Sequence, residues 1–245
     1  MSMIGHPKSA AGLMFWLLLW ACAPPLCARD KTPVPTVTWA MDKPGSSFSR
    51  GEDGKYRYIL QADNLEITLA VDSREVQEIR RRPVPVLGVF ATFRYRGQES
   101  VGLRLDKLTV EFLLHSKVVQ NALEPGALAA RLQRDSEELT DQTEHEVRKH
   151  PEKKEELEAA LRTHLQEFAA MTEFVNAHSL RSGTLTAAQP ELSGWIFFDT
   201  TNRWIGAWKK REEFLLHIPL KNRVFEFPFT LPPTEGDLML RRRRE

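Results

Sequence analysis

The chain has 245 residues, and its 34 lysine and arginine residues nearly balance its 33 aspartate and glutamate residues. A net charge of +1 argues against nucleic acid as a partner, because domains that bind nucleic acid carry a clear basic excess. The two cysteines, Cys22 and Cys27, lie close to the amino terminus, so cysteine zinc sites and thiol catalysis are excluded for the rest of the chain.

The amino terminus is organised like an export signal. Lys8 precedes an apolar run from Leu13 to Ala21, and two prolines follow. A helix that crosses a bilayer needs about 20 apolar residues, so this run is too short for a permanent anchor. The pattern predicts a signal peptide over residues 1–28 and an extracytoplasmic protein, either periplasmic or secreted.

Two processing routes are open for this signal. Ala28 is a small residue that suits the ordinary signal peptidase, which would release a soluble chain beginning at Arg29. Residues 19–22 (LWAC) resemble a lipobox, which gives a lipoprotein signal over residues 1–21 and a lipid anchor on Cys22. The bulky Trp20 departs from the small residue usual in a lipobox. Membrane association, at the outer membrane, is expected only if Cys22 is acylated.

Apolar and polar residues alternate along much of the mature chain, which predicts half-buried β-strands. Residues 29–54 differ, because proline, glycine and charge dominate there; they predict a linker with room for one early strand. The remaining alternation predicts strands within residues 65–71, 87–95, 103–114, 194–199, 214–220 and 225–231.

The pattern between residues 125 and 180 is helical. Apolar residues recur there at intervals of about four, and Pro151 interrupts the series, so a helical hairpin is predicted with helices over 125–149 and 152–178. The fold class is therefore mainly β with an α insertion: an antiparallel immunoglobulin-like β-sandwich of about seven strands over 55–231, interrupted by the hairpin. A polar basic tail, residues 232–245, follows.

This order of segments resembles the telokin-like immunoglobulin-type domains of exported bacterial lipoproteins. The resemblance rests on an Ile-Thr-Leu strand at residues 67–69, a Phe-Arg-Tyr-Arg-Gly strand and turn at 93–97, and the segment Gly194 to Phe198 before two closing strands. It implies an uncharacterised binding or structural module. The helical hairpin departs from that family.

Residues that could carry catalysis or bind a metal do not form a recognisable pattern. His145 and His150 are five residues apart, whereas the helical zinc motif places two histidines four apart, and Pro151 ends the helix. Adjacent carboxylates such as Glu137 and Glu138 are typical of a solvated helix face. We therefore expect no catalytic residue, no metal site and no cofactor, and the chain is not predicted to be an enzyme.

Three tryptophans give the clearest candidate for ligand contact. Trp195, Trp204 and Trp208 lie within 14 residues of one another, with basic residues between them. They could stack on sugar rings, close one end of the sandwich, or pack against the hairpin.

The predicted function is a non-catalytic binding or assembly module of the cell envelope, with an envelope protein bound through the helical hairpin. One alternative is a carbohydrate-binding module that uses the tryptophans to hold a glycan. A second alternative is an envelope hydrolase whose site residues the sequence does not reveal.

Overall fold

A computed structural model describes residues 34–115, 117–205 and 211–232. The predicted signal peptide with Cys22, the loop residue Trp208, and residues 233–245 of the predicted tail lie outside the described residues. Within the part of the chain that the structure describes, no helix combines the length and the apolar content needed to cross a bilayer.

The described residues form twelve strands and three α-helices. In chain order they are β1 (Thr36–Thr38), β2 (Ser46–Arg50), β3 (Lys55–Ala62), β4 (Leu65–Asp72), α1 (Glu75–Glu78), β5 (Val86–Tyr95), β6 (Val101–Leu103), β7 (Thr109–Phe112), β8 (Val118–Asn121), α2 (Pro125–Lys149), α3 (Lys154–His178), β9 (Gly183–Leu185), β10 (Glu191–Asp199), β11 (Glu212–Leu220) and β12 (Arg223–Leu231). Short 3₁₀ turns cover Leu105–Lys107 and Pro151–Lys153.

The strands form two five-stranded sheets and one two-stranded sheet. The orders are β10-β5-β4-β3-β2, β1-β12-β11-β7-β8 and β6-β9. Almost all neighbours are antiparallel, and the exception is the parallel pair of β1 and β12. The chain is thus mainly β with multiple antiparallel sheets and a helical segment.

The two larger sheets enclose one apolar core. Residues that point inward alternate with outward ones, so Ile67 and Leu69 of β4 are fully buried, as are Leu216 of β11 and Phe227 of β12. The Tyr58 ring reaches across to Phe229, with 6.3 Å between ring centroids. The small β6-β9 sheet and the connecting loops accompany the two larger sheets, and we call all described residues outside the hairpin, 34–115, 117–124, 179–205 and 211–232, the two-sheet body.

Residues 34–54 belong to this body, although composition predicts a linker there. Strand β1 hydrogen-bonds along β12, and β2 pairs with β3. Trp39 is buried, and its indole N–H donates to the carbonyl oxygen of Ser47 at 3.1 Å. Strands of three to five residues, such as β1 and β2, contain too few alternations to stand out in a sequence. The predicted count of about seven strands is lower than the twelve observed, and the predicted ranges also omit β3, which has eight residues.

Candidate functional site

The helical hairpin is the largest feature outside the two-sheet body. Helices α2 and α3 have 25 residues each, so each is about 37 Å long. They pack against each other along their length, and the turn at Pro151–Lys153 joins them. The apolar spacing predicts helices over 125–149 and 152–178. The observed bounds agree with this except at the start of α3, which begins two residues later, at Lys154.

The base of the hairpin is attached by a second apolar cluster, separate from the core between the sheets. Leu128 and Leu132 of α2 and Phe168 and Val175 of α3 are buried in it. The body contributes three buried residues to this cluster: Val84, Val86 and Phe197. The hairpin therefore covers the outer face of β5 and β10 near its base.

Backbone contacts hold both ends of the hairpin against β10. Before α2, the Leu123 N–H donates to the Phe197 carbonyl at 2.8 Å, and after α3 the Leu180 N–H donates to the Trp195 carbonyl at 2.8 Å. Gly194 permits this approach, because a Cβ at that position would lie 2.4 Å from the Leu180 nitrogen. The entry and the exit of the hairpin are thus fixed to a single strand.

Two charged contacts reinforce the base. Arg131 of α2 lies 3.3 Å from the Asp199 carboxylate at the end of β10. Beneath the cluster, the nearly inaccessible Glu75 carboxylate accepts hydrogen bonds from both terminal nitrogens of Arg82 and from the Gly88 N–H. Arg82 also donates to the Val86 carbonyl at 2.6 Å. This network holds the segment that supplies Val84 and Val86 to the cluster.

Beyond the base the hairpin has no buried residue. We call residues 143–163, all of which the structure describes, the distal segment; every one of them is exposed or half-buried. Its apolar side chains line a narrow seam between the helices, where Val147, Leu157 and Leu161 are half-buried. The hydrophobic burial that stabilises the base is therefore weak at the far end.

The outer surface of the distal segment is densely charged. It carries six acidic and five basic residues. Its ion pairs are local: Lys149 lies 3.1 Å from Glu146, and Lys154 lies 3.8 Å from Glu158. The hydrogen bond from Lys149 lowers the pKa of Glu146. Exposed pairs of this kind contribute little to stability, which leaves the charges available to a partner.

The predicted tryptophan site is divided by the structure. Trp195 is half-buried on β10, where its ring contacts Phe90 and Phe174 at centroid distances of 5.9 Å and 5.7 Å. Trp204 lies in the turn after β10 and is 61% exposed, with the Arg203 guanidinium 4.8 Å from its ring centroid. Trp195 therefore packs beside the hairpin, while Trp204 faces solvent.

Titratable residues of the described ranges do not form a metal centre: no group of three or more histidine, cysteine, aspartate or glutamate side chains there could hold an ion. His145 and His150 lie exposed on the hairpin. A buried pair that sequence reasoning missed is His115 with Glu212, whose side chains lie 2.7 Å apart. Their separation of 97 residues gives no local signal.

Comparison of the chain with protein-family models, with curated proteins and with solved structures finds no match in any of the three. A fold by itself does not define an activity, so function is inferred from the arrangement of the described side chains.

Proposed function

We propose that the protein is an exported, non-catalytic binding or assembly module of the cell envelope, and that it binds a partner protein through the distal segment of its helical hairpin. The observation that carries this proposal is the absence of buried residues between positions 143 and 163 in a hairpin whose base is firmly attached. Because the distal segment adds little to the core, we attribute its presence to the binding of a partner.

The geometry of the base supports the same proposal. Both ends of the hairpin are hydrogen-bonded to β10, and Arg131 pairs with Asp199, so the helices leave the body at a defined position. A partner would meet a preorganised surface, which reduces the entropy lost on binding. The mixed charges of the distal segment favour a partner of complementary charge pattern over an apolar one.

Site-specific photo-crosslinking in intact cells tests this function. A photoreactive amino acid would replace Glu155 or Arg162 of the distal segment, and Ser49 or Lys107 of the two-sheet body would serve as exposed controls. We expect a discrete adduct of the same partner from both distal positions and none from the controls. Adducts from the body positions alone would refute the proposal.

A shortened hairpin provides the matched variant. Gln142 of α2 and His164 of α3 both line one surface groove at the side of the hairpin. A short glycine-rich turn that joins these two residues can therefore replace residues 143–163. Because no buried residue is removed, the variant should fold and unfold at nearly the same temperature as the full chain. It should lose the partner in co-purification. Retention of the partner by the shortened chain would exclude the distal segment as the binding surface.

A carbohydrate-binding module is the second candidate, and the exposure of Trp204 favours it. The Arg203 guanidinium lies over one face of the Trp204 ring, and the backbone N–H of Trp204 donates to the side-chain oxygen of Asn202 at 2.9 Å. These contacts position the ring, and a sugar could stack on its other face. Trp204→Ala should leave the unfolding temperature unchanged and abolish binding to cell-envelope polysaccharide. Val119→Ala, at another exposed apolar residue, is the control, because Val119 is distant in sequence from the tryptophans and is not among their ring contacts. Equal polysaccharide binding by all three proteins would exclude this candidate.

We also propose export and the telokin-like, immunoglobulin-like relationship as parts of this function. Support for the relationship comes from the position of β10, which contains Gly194 to Phe198 and precedes the closing hairpin of β11 and β12. Cell fractionation with Cys22→Ala tests the anchor: a lipoprotein would lose its acyl chain and its membrane association. Recovery of the unaltered chain in the cytoplasm would refute export.

A further inference from the structure

A cavity of about 430 Å³ opens at the end of the two-sheet body, between the β3–β4 turn and the β11–β12 turn. Its volume falls within the range of about 300–1,000 Å³ typical of small-molecule sites. The walls are mainly apolar and include Leu65, Val101, Leu220 and Phe225, all of which are buried. The cavity is therefore a mainly apolar concavity with these four residues at its base.

Polar groups converge at the mouth of this cavity from the two turns. Asp63 and Asn64 come from one turn, and Lys221, Asn222 and Arg223 come from the other. An apolar interior with a few placed polar groups is the usual composition of a ligand site, because the apolar part gives affinity and the polar part gives orientation.

Lys221 is held in a fixed orientation at the mouth. Its ammonium group donates to the hydroxyl oxygen of the buried Tyr95 at 3.2 Å and lies 5.2 Å from the centroid of that ring. The backbone of Lys221 has a φ of 54°, in the left-handed region that glycine and asparagine adopt more readily. The two contacts with Tyr95 place the ammonium group beside that ring.

The charge of the lining favours an anion. The lining contains two cations, Lys221 and Arg223, and one carboxylate, Asp63, which pairs with Arg223 at 2.9 Å. Lys221 instead pairs at 3.1 Å with Glu99, whose side chain is 82% exposed and is not part of the cavity lining. Such an exposed pair is weak, so another carboxylate could replace Glu99 at little cost.

We propose that this cavity binds a medium-chain aliphatic carboxylate. The chain lies in the cavity over Leu65, Val101, Leu220 and Phe225, and the carboxylate takes the position of the Glu99 carboxylate on the Lys221 ammonium group. This site is independent of the hairpin, so either function can fail without the other.

Titration calorimetry with decanoate tests the proposal, with decanol and decyltrimethylammonium as neutral and cationic ligands of equal chain length. All are used below their aggregation concentrations. We expect saturable binding of one decanoate per chain and weaker binding of the other two. Equal binding of all three, or no saturable binding of decanoate, would overturn the proposal.

Variants at the mouth separate the roles of charge and cavity. Lys221→Met should weaken decanoate binding about fivefold and leave decanol binding unchanged, because it removes the charged donor while keeping the chain. Glu99→Gln should strengthen decanoate binding about threefold by removing the competing carboxylate. Ala62→Phe, which narrows the mouth, should weaken both ligands. Lys154→Met on the hairpin is the control and should bind decanoate like the unaltered chain.

Two results would contradict this assignment. The first is equal affinity of the unaltered chain, Lys221→Met and Glu99→Gln for decanoate, with circular dichroism showing that the variants are folded. The second is tighter binding of a leucine-rich tripeptide with a free carboxylate than of decanoate, which would make the cavity a site for peptide termini.

Discussion

The two-sheet body and the distal segment of the hairpin use their apolar residues differently. In the body, residues such as Phe93 and Leu69 have no exposed surface and belong to the core cluster to which both sheets contribute. In the distal segment, Leu157 and Leu161 are only half-buried, in a seam formed by two helices. Stability is therefore concentrated in the body and in the hairpin base, and the distal segment can vary at little energetic cost.

The largest effect is expected in the centre of the body. Phe93→Ala removes a fully buried ring from β5 and should lower the free energy of unfolding by about 4 kcal/mol, because the lost burial adds to the cost of a cavity. Urea denaturation followed by circular dichroism measures the change. A loss below about 1 kcal/mol would show that the core between the sheets does not dominate stability.

A somewhat smaller effect is expected at the base of the hairpin. Leu132→Ala should cost about 3 kcal/mol, since Leu132 is fully buried between α2 and the outer face of the sheet. Hydrogen exchange should then accelerate in α2 and α3 more than in β4 and β5. Uniform acceleration throughout the chain would instead indicate that the hairpin and the body unfold as one unit.

Alkaline pH should destabilise the body through Tyr58. Burial, with a smaller contribution from Tyr56, raises the pKa of the Tyr58 hydroxyl in the folded state. The stabilising effect of the protonated state is complete below the unfolded pKa of about 10, and it is lost at about 1.4 kcal/mol per pH unit as the pH rises above that value.

Tyr58→Phe removes this titrating group. The free energy of unfolding of the variant should therefore decrease less steeply above about pH 10 than that of the unaltered chain. Urea denaturation at mildly and strongly alkaline pH, on both proteins, measures the difference. Parallel curves for the two proteins would show that Tyr58 does not contribute to alkaline unfolding.

The smallest effect is expected in the distal segment. Leu161→Ala should cost less than about 1 kcal/mol, because the leucine is half-buried and alanine is the better helix former. Urea denaturation beside Phe93→Ala gives a direct comparison. A cost similar to that of Phe93→Ala would mean that the seam is as tightly packed as the core and would remove the contrast between the two regions.

The features that sequence reasoning located are those with a local period. Strands β4, β11 and β12 alternate over eight or nine residues, and the helices repeat their apolar residues over 25, so their positions are visible in the sequence. Strands β1, β6 and β9 have three residues each, and their pairing depends on distant partners. Such strands become recognisable only when the sheet is assembled.

The candidate site was also only partly visible in the sequence. The hairpin and its charge could be predicted, whereas the separation of Trp195 from the exposed Trp204 depends on how β10 packs beside α3. The cavity joins two turns about 160 residues apart, so no local pattern indicates it.

The sequence by itself determined the mainly β character of the chain, the position of the helical hairpin and the near-neutral charge, because these follow from periodicity and composition. Tertiary structure decided which apolar residues the hairpin buries, which residues it leaves exposed, and where Lys221 meets Tyr95. Those relations depend on contacts between residues far apart in the chain, and packing brings them together only when the sheets form a common core.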